Sequence, residues 1–201
     1  MEGKSLFLWE PVPGNCTPKD WQACVEAMQQ VDVITPNVNE AAEFLGKTID
    51  EEEHFSQFKP HVESLADEYA SHLSPGKAIV IRCGRYGCFL RTGDIRKWFP
   101  AYHQNSEKVV DPTGGGNAFC GGFCAGWVQS EGNFETACVS GNIAASYTIE
   151  QFGLPGLSTA GSEKWNGESL QFRWEMYKAL DEQGARTSQW KSLLQYFLSL
   201  I

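Results

Sequence analysis

Three consecutive glycines, Gly114, Gly115 and Gly116, stand directly before a segment of helical character, and Asn117 follows them where phosphoryl chemistry would want a carboxylate. A glycine run lets backbone N–H groups approach an anion without side-chain obstruction. A helix that follows adds its unsatisfied first-turn donors and the positive end of its dipole. These residue types describe a phosphate cradle. Asn117 reads as the N-cap, its side-chain oxygen accepting from the first-turn amides. A carboxamide takes no proton from an attacking hydroxyl, so such a cradle holds a phosphate more readily than it turns one over.

Asn37 and Glu40 form a second constellation, three residues apart at a strand-to-helix junction. That spacing brings both side chains to one first turn. A hydrated Mg²⁺ bridging phosphates would be held there indirectly, since Mg²⁺ keeps several waters and one carboxylate suffices. The same spacing also suits a capping box, in which Asn37 caps and Glu40 closes back on the chain. Asp111-Pro112-Thr113 is a turn-forming tripeptide in its own right.

The elements that carry these residues alternate. Leu6–Trp9 and Val31–Thr35 read as strands, and Thr17-Pro18 opens a helix through Gln29 with Thr17 as its cap. Asn37–Leu45 is a short helix ended by Gly46, and Glu51–Ser71 a charged amphipathic one. Ala78–Cys83 is a β-branched strand, and Cys88–Arg91 and Ile95–Phe99 flank Thr92-Gly93-Asp94 as a hairpin. Helices near 117–130 and 133–151 follow. Strand, helix, strand, helix predicts an α/β domain with a mostly parallel sheet and helices on both faces. In the tail, Trp190, Leu193, Leu194, Phe197, Leu198 and Ile201 recur at helix spacing, a face for docking on the same core or for binding a partner.

The order Asp111-Pro112-Thr113-Gly114-Gly115-Gly116-Asn117-Ala118-Phe119 resembles the second signature of the pfkB (ribokinase-like) carbohydrate kinases, Asp-x-Thr-Gly-Ala-Gly-Asp-Ala-Phe. Asn37-Val38-Asn39-Glu40 is similar to that family's Asn-x-x-Glu element, and Asn142-Ile143-Ala144-Ala145 with Gly153 to its adenine-pocket helix. Trp9-Glu10-Pro11 and the triple glycine resemble the divergent branch of maintenance-of-killer type proteins. The resemblance implies ATP and Mg²⁺ as cofactors and phosphoryl transfer to the hydroxyl of a sugar or nucleoside-like acceptor that the sequence does not name. It places Asn117 at the catalytic base position, Gly114–Gly116 on the transferring group, and Asn37 and Glu40 beside Mg²⁺ through water. It further places Gly84 and Gly87 at the nucleotide phosphates, with Arg85 between them either on ATP or an ordinary surface arginine. Asn142 falls near the adenine edge, with an exposed or capping amide as its alternative. Asp111 and Thr113 fall in a loop for a monovalent cation such as K⁺.

Residues 1–160 are then the nucleotide-binding part of a pfkB-like kinase domain, and 161–201 C-terminal helices docked on it. The family's N-terminal strands, sugar-binding signature and β-lid have no counterpart in the sequence. A sheet cut in this way exposes an edge that favours a second copy or another partner. With Asn117 in place of the base, the alternative is a catalytically impaired pseudokinase acting as a nucleotide-binding or interaction module.

Composition bounds the rest. The 201 residues, 42% hydrophobic and 20% charged, suit one domain with a sizeable core. A net charge of −9 argues against a nucleic-acid surface. No stretch has the apolar length of a membrane span, so a cytoplasmic protein is expected. The seven cysteines lack paired metal spacing and read as free thiols. None of the four histidines falls in a motif. A Rossmann fingerprint after an early strand and a P-loop Gly-Lys-Ser/Thr are both missing.

Overall fold

The computed structural model of the chain describes residues 5–158 and 163–180. They belong to two compact units, Met1–Pro155 and Gly156–Ile201. The first holds β1 (Leu8–Trp9), α1 (Trp21–Met28), β2 (Val33–Ile34), α2 (Val38–Phe44), α3 (Phe55–Ala70), β3 (Ala78–Arg82), β4 (Cys88–Arg91), β5 (Arg96–Phe99), α4 (Gly115–Gln129) and α5 (Phe134–Thr148).

Its five strands lie in chain order. β1, β2 and β3 run parallel, with Leu8 opposite Val33 and Ile34 opposite Ile79, and β4 and β5 return antiparallel as the predicted hairpin. The sheet is therefore mixed. β3 reads Ala-Ile-Val-Ile because both of its faces are covered. Ile79 and Ile81 pack with Phe58, Val62 and Leu65 of α3. Ala78 and Val80 point the other way, into the cluster that holds Phe119 and Phe123 of α4 and Cys138 of α5. Period-two alternation thus builds two cores from one strand. An isolated parallel bridge between Asn37 and Arg82 carries the β2–β3 pairing past the strand ends, to where the sequence places its chemistry.

Three helix starts differ from the sequence expectation. Thr17 does not cap α1; its hydroxyl bonds the Asp20 carboxylate at 2.5 Å, and the helix begins at Trp21. α3 begins at Phe55, four residues after Glu51, with His54 as its cap. Glu51 and Glu52 are drawn off to Arg85, through the Glu51 carbonyl at 2.7 Å and the Glu52 carboxylate at 2.8 Å. α4 begins at Gly115, so Asn117 is not its N-cap; that position belongs to Gly114, at φ 82°.

The second unit contains a short antiparallel pair, β6 (Leu157–Ser158) and β7 (Lys164–Trp165), and helical residues 170–180. The apolar face expected from Trp190 to Ile201 lies outside the described residues. Among the described residues no helix is long and apolar enough to cross a membrane.

Candidate functional site

Gly114 turns the chain into α4. Its left-handed φ of 82° suits a residue without Cβ, and the Gly115 N–H closes the turn on the Pro112 carbonyl at 3.1 Å. The helical ladder starts with the Ala118 N–H on the Gly114 carbonyl at 2.9 Å. No side chain caps this end, so the Gly116 and Asn117 amides are the first-turn donors left for something else. Cap preference at Asn117 gives way to packing: a Cβ at Gly122 would sit 2.5 Å from Ala144 Cβ and 2.7 Å from the Ser140 carbonyl oxygen, so α4 lies hard against α5 and its position is set along its length. Asn117 sits exposed in the first turn.

A cavity of about 890 Å³ opens beside this helix end. Gly115 and Gly116 line it from α4, and Asn142 and Ser146 from α5. Asn37, Arg82, Gly84 and Gly87 line it from the sheet side. Six of the candidate site residues from the sequence, Asn37, Gly84, Gly87, Gly115, Gly116 and Asn142, meet here together with Arg85, whereas Gly114, Asn117, Glu40, Asp111 and Thr113 are not in its lining. The volume is within the roughly 300–1,000 Å³ of small-molecule sites. A nucleotide-sized molecule is within that range.

Asn37 and Glu40 make the capping box: Asn37 Oδ1 accepts from the Glu40 N–H at 2.8 Å, and Glu40 Oε2 from the Asn37 N–H at 2.8 Å. Glu40 is only 4% exposed. Burial pushes its carboxyl up, against the Asn37 N–H bond and the Arg82 guanidinium, which pull it down. Among the described residues no three His, Cys, Asp or Glu side chains gather as a metal site. Glu40 Oε2 is held by the capping box and lies 3.6 Å from Arg82 Nη2.

Gly87, at φ 85°, brings the chain so close to β5 that a Cβ would fall on the Phe99 carbonyl and 2.5 Å from the Ala101 nitrogen. Gly84 opens the single 3₁₀ turn that Gly87 closes. Arg85 is the surface arginine of that turn, tied to Glu52 and stacked 5.0 Å over Tyr86.

Asn142 is neither exposed nor a cap. It is 6% exposed and donates to the Phe99 carbonyl at 3.5 Å and the Cys88 sulfur at 3.6 Å, tying α5 to the hairpin. Asp111 Oδ1 accepts the Thr113 N–H at 2.9 Å, and that bond, with the Thr113 hydroxyl, holds its carboxyl below the usual carboxylate value. The Val110 and Asp111 amides both donate to the Ile149 carbonyl, at 2.8 and 3.2 Å. This is the turn that the tripeptide alone suggests.

Two residues had no role in the sequence reading. Arg82, which ends β3, sets its guanidinium against Gly116: a Cβ there would fall on Nη1. It pairs with Glu10 at 2.6 Å and Glu40 at 3.6 Å, and its Nε donates to the Thr35 carbonyl at 3.2 Å. A cation closing the apolar run Ala-Ile-Val-Ile was the available signal. His103 lines the same cavity, its Nε2 3.0 Å from Glu150. Nothing local in the sequence marked it. All seven cysteines are free, as their spacing predicts.

Known proteins resemble this chain along most of its length. Residues 11–159 match the pfkB family carbohydrate kinases. An uncharacterised protein of Schizosaccharomyces pombe is 32% identical over 193 residues, covering 88% of this chain and 52% of that protein. Protein MAK32 of Saccharomyces cerevisiae is 31% identical over 183 residues, covering 87% of this chain and 49% of MAK32. The chain thus spans about half the length of these curated relatives. A solved ribokinase from Cryptococcus neoformans, in complex with ADP, superposes with a TM-score of 0.59 at 21% identity, over 73% of this chain and 47% of that one. The fold is ribokinase-like, and the chain belongs to the pfkB family of carbohydrate kinases, in the branch that includes MAK32.

Proposed function

We propose that this chain is the nucleotide-binding part of a pfkB-type phosphotransferase. It holds ATP with the terminal phosphates at the open start of α4 and the base toward Asn142 and Ser146. The reaction is transfer of the γ-phosphoryl group to the hydroxyl of a sugar or nucleoside-like acceptor. The observation that carries this reading is the uncapped glycine start of α4 facing a nucleotide-sized cavity. The ADP in the Cryptococcus ribokinase supports the ligand class.

Gly116 and Asn117 supply backbone N–H groups to the transferring group, a role that needs no side chain. Glu40 would be the outer partner, through water, of a Mg²⁺ ion carried on the phosphates, which would supply charge neutralisation there. Asp111 and Thr113 would hold K⁺, as the family resemblance implies, beside the loop that feeds α4. The Asn117 carboxamide accepts no proton, so transfer is slow. General-base contributions are roughly 10²–10⁴-fold.

Asn117 also favours a second reading, a pseudokinase that binds nucleotide without turning it over. Calorimetric titration with ATP, with and without Mg²⁺, on the wild type and on Asn117→Asp tests both. Saturable ATP binding by both proteins is expected, with ATP hydrolysis or transfer rising on Asn117→Asp. Binding without any gain in turnover leaves the pseudokinase reading, and absence of binding overturns both.

A further inference from the structure

The positive end of a helix is a poor place for a cation, yet Arg82 lies against Gly116 in the first turn of α4. Two carboxylates make this tolerable. Glu40 is 5% exposed at its side chain and fixed by the capping box, whereas Glu10 is 32% exposed and follows the end of β1. Glu10 Oε1 is 2.6 Å from Arg82 Nη2 and would be 3.7 Å from a Cβ at Gly116. One partly exposed carboxylate therefore pairs with the guanidinium and lies beside the glycine face of the helix. An anionic oxygen entering the cavity would find these same two partners.

We propose that Arg82 is a phosphate-binding residue of the nucleotide site and that Glu10 is its internal competitor, occupying it until a nucleoside triphosphate displaces the carboxylate. The inference rests on the nucleotide reading above. Arg82 hands its Nη2 contact from Glu10 to a terminal phosphate oxygen, and Glu40 keeps the guanidinium aimed as the exchange occurs. A planar guanidinium offers a phosphate two parallel donors, which the α4 amides then supplement. Arg82 thereby adds positive charge at the reacting phosphate. Glu10 discriminates against weak anions, because only a ligand with enough charge and further contacts outcompetes it.

Calorimetric titrations with ATP, AMP and adenosine, on the wild type, Arg82→Gln and Glu10→Gln, separate the steps. Arg82→Gln is expected to weaken ATP binding roughly tenfold or more, the range for a lost charged hydrogen bond, and to leave adenosine binding unchanged. Glu10→Gln removes the competitor and is expected to tighten ATP binding several-fold, also without effect on adenosine. Because Glu10 is partly exposed, that variant keeps the idea testable if Arg82→Gln fails to fold. ATP binding unchanged in Arg82→Gln, or unchanged or weaker in Glu10→Gln, overturns the proposal and leaves the nucleotide reading standing. A wild type that binds adenosine but gains nothing from the triphosphate overturns it as well, and one that binds none of the three ligands removes both readings.

Discussion

Gly87 shows most plainly how one residue type is dictated here. Its positive φ and its approach to the Phe99 carbonyl both exclude a side chain. Gly87→Ala is expected to cost at least about 1–3 kcal/mol, measured as a fall in the urea midpoint, because strain and clash add at one position. A second residue-scale expectation concerns acid. Burial pushes the Glu63 carboxyl up, but hydrogen bonds from the Lys59 ammonium and the Trp98 indole, with Arg96 beside it, outweigh burial and leave it below 4.5. The folded value is depressed, so its contribution to stability is present above 4.5 and is lost as pH falls through the lowered value. Glu63→Gln should flatten the acid limb of stability below about pH 5, while an equal acid limb in both proteins would contradict this sign.

At the scale of elements, α4 and α5 differ in how they start, and the difference is measurable. Asn133 Oδ1 accepts the Thr136 N–H at 2.9 Å and caps α5. Asn133→Ala should cost about 1 kcal/mol. Asn117→Ala, in an exposed first-turn position that caps nothing, should change stability by no more than about 0.5 kcal/mol in denaturant titrations. Equal losses at the two positions would restore Asn117 as a cap. The contrast also shows why the sequence misled at α4. Local preference favours Asn over Gly as a cap, but the start of α4 is fixed by a left-handed Gly114 and by close packing on α5, and neither is local. The Asn37–Glu40 box and the hairpin around Thr92-Gly93-Asp94 were legible because adjacent residues complete them. Arg82 was missed because its partners, Glu10 and Glu40, come from separate parts of the chain. The start of α3 was missed for the same reason: Glu51 and Glu52 answer to Arg85, more than thirty residues away.

At the scale of the molecule, one mixed sheet buries both faces and delivers its loops to one cavity. The α/β class followed from strand and helix periods, since each β3 residue must choose one of two cores. How the loops converge did not follow, because their register is a property of the assembled sheet. β1 is the outer strand of the first unit's sheet, and Phe7 beside it is 67% exposed. An apolar side chain at an unpaired edge favours association. Phe7→Lys should lower self-association in sedimentation experiments, and an unchanged mass distribution would show that this edge does not pair. The central claim is that a nucleotide presents its phosphates to the open amides of α4. Backbone amide NMR during ATP titration tests it most directly. The account predicts large, saturable shifts at Gly116 and Asn117 that adenosine does not reproduce; ATP-induced shifts that bypass these two amides, or coincide with those of adenosine, would contradict it.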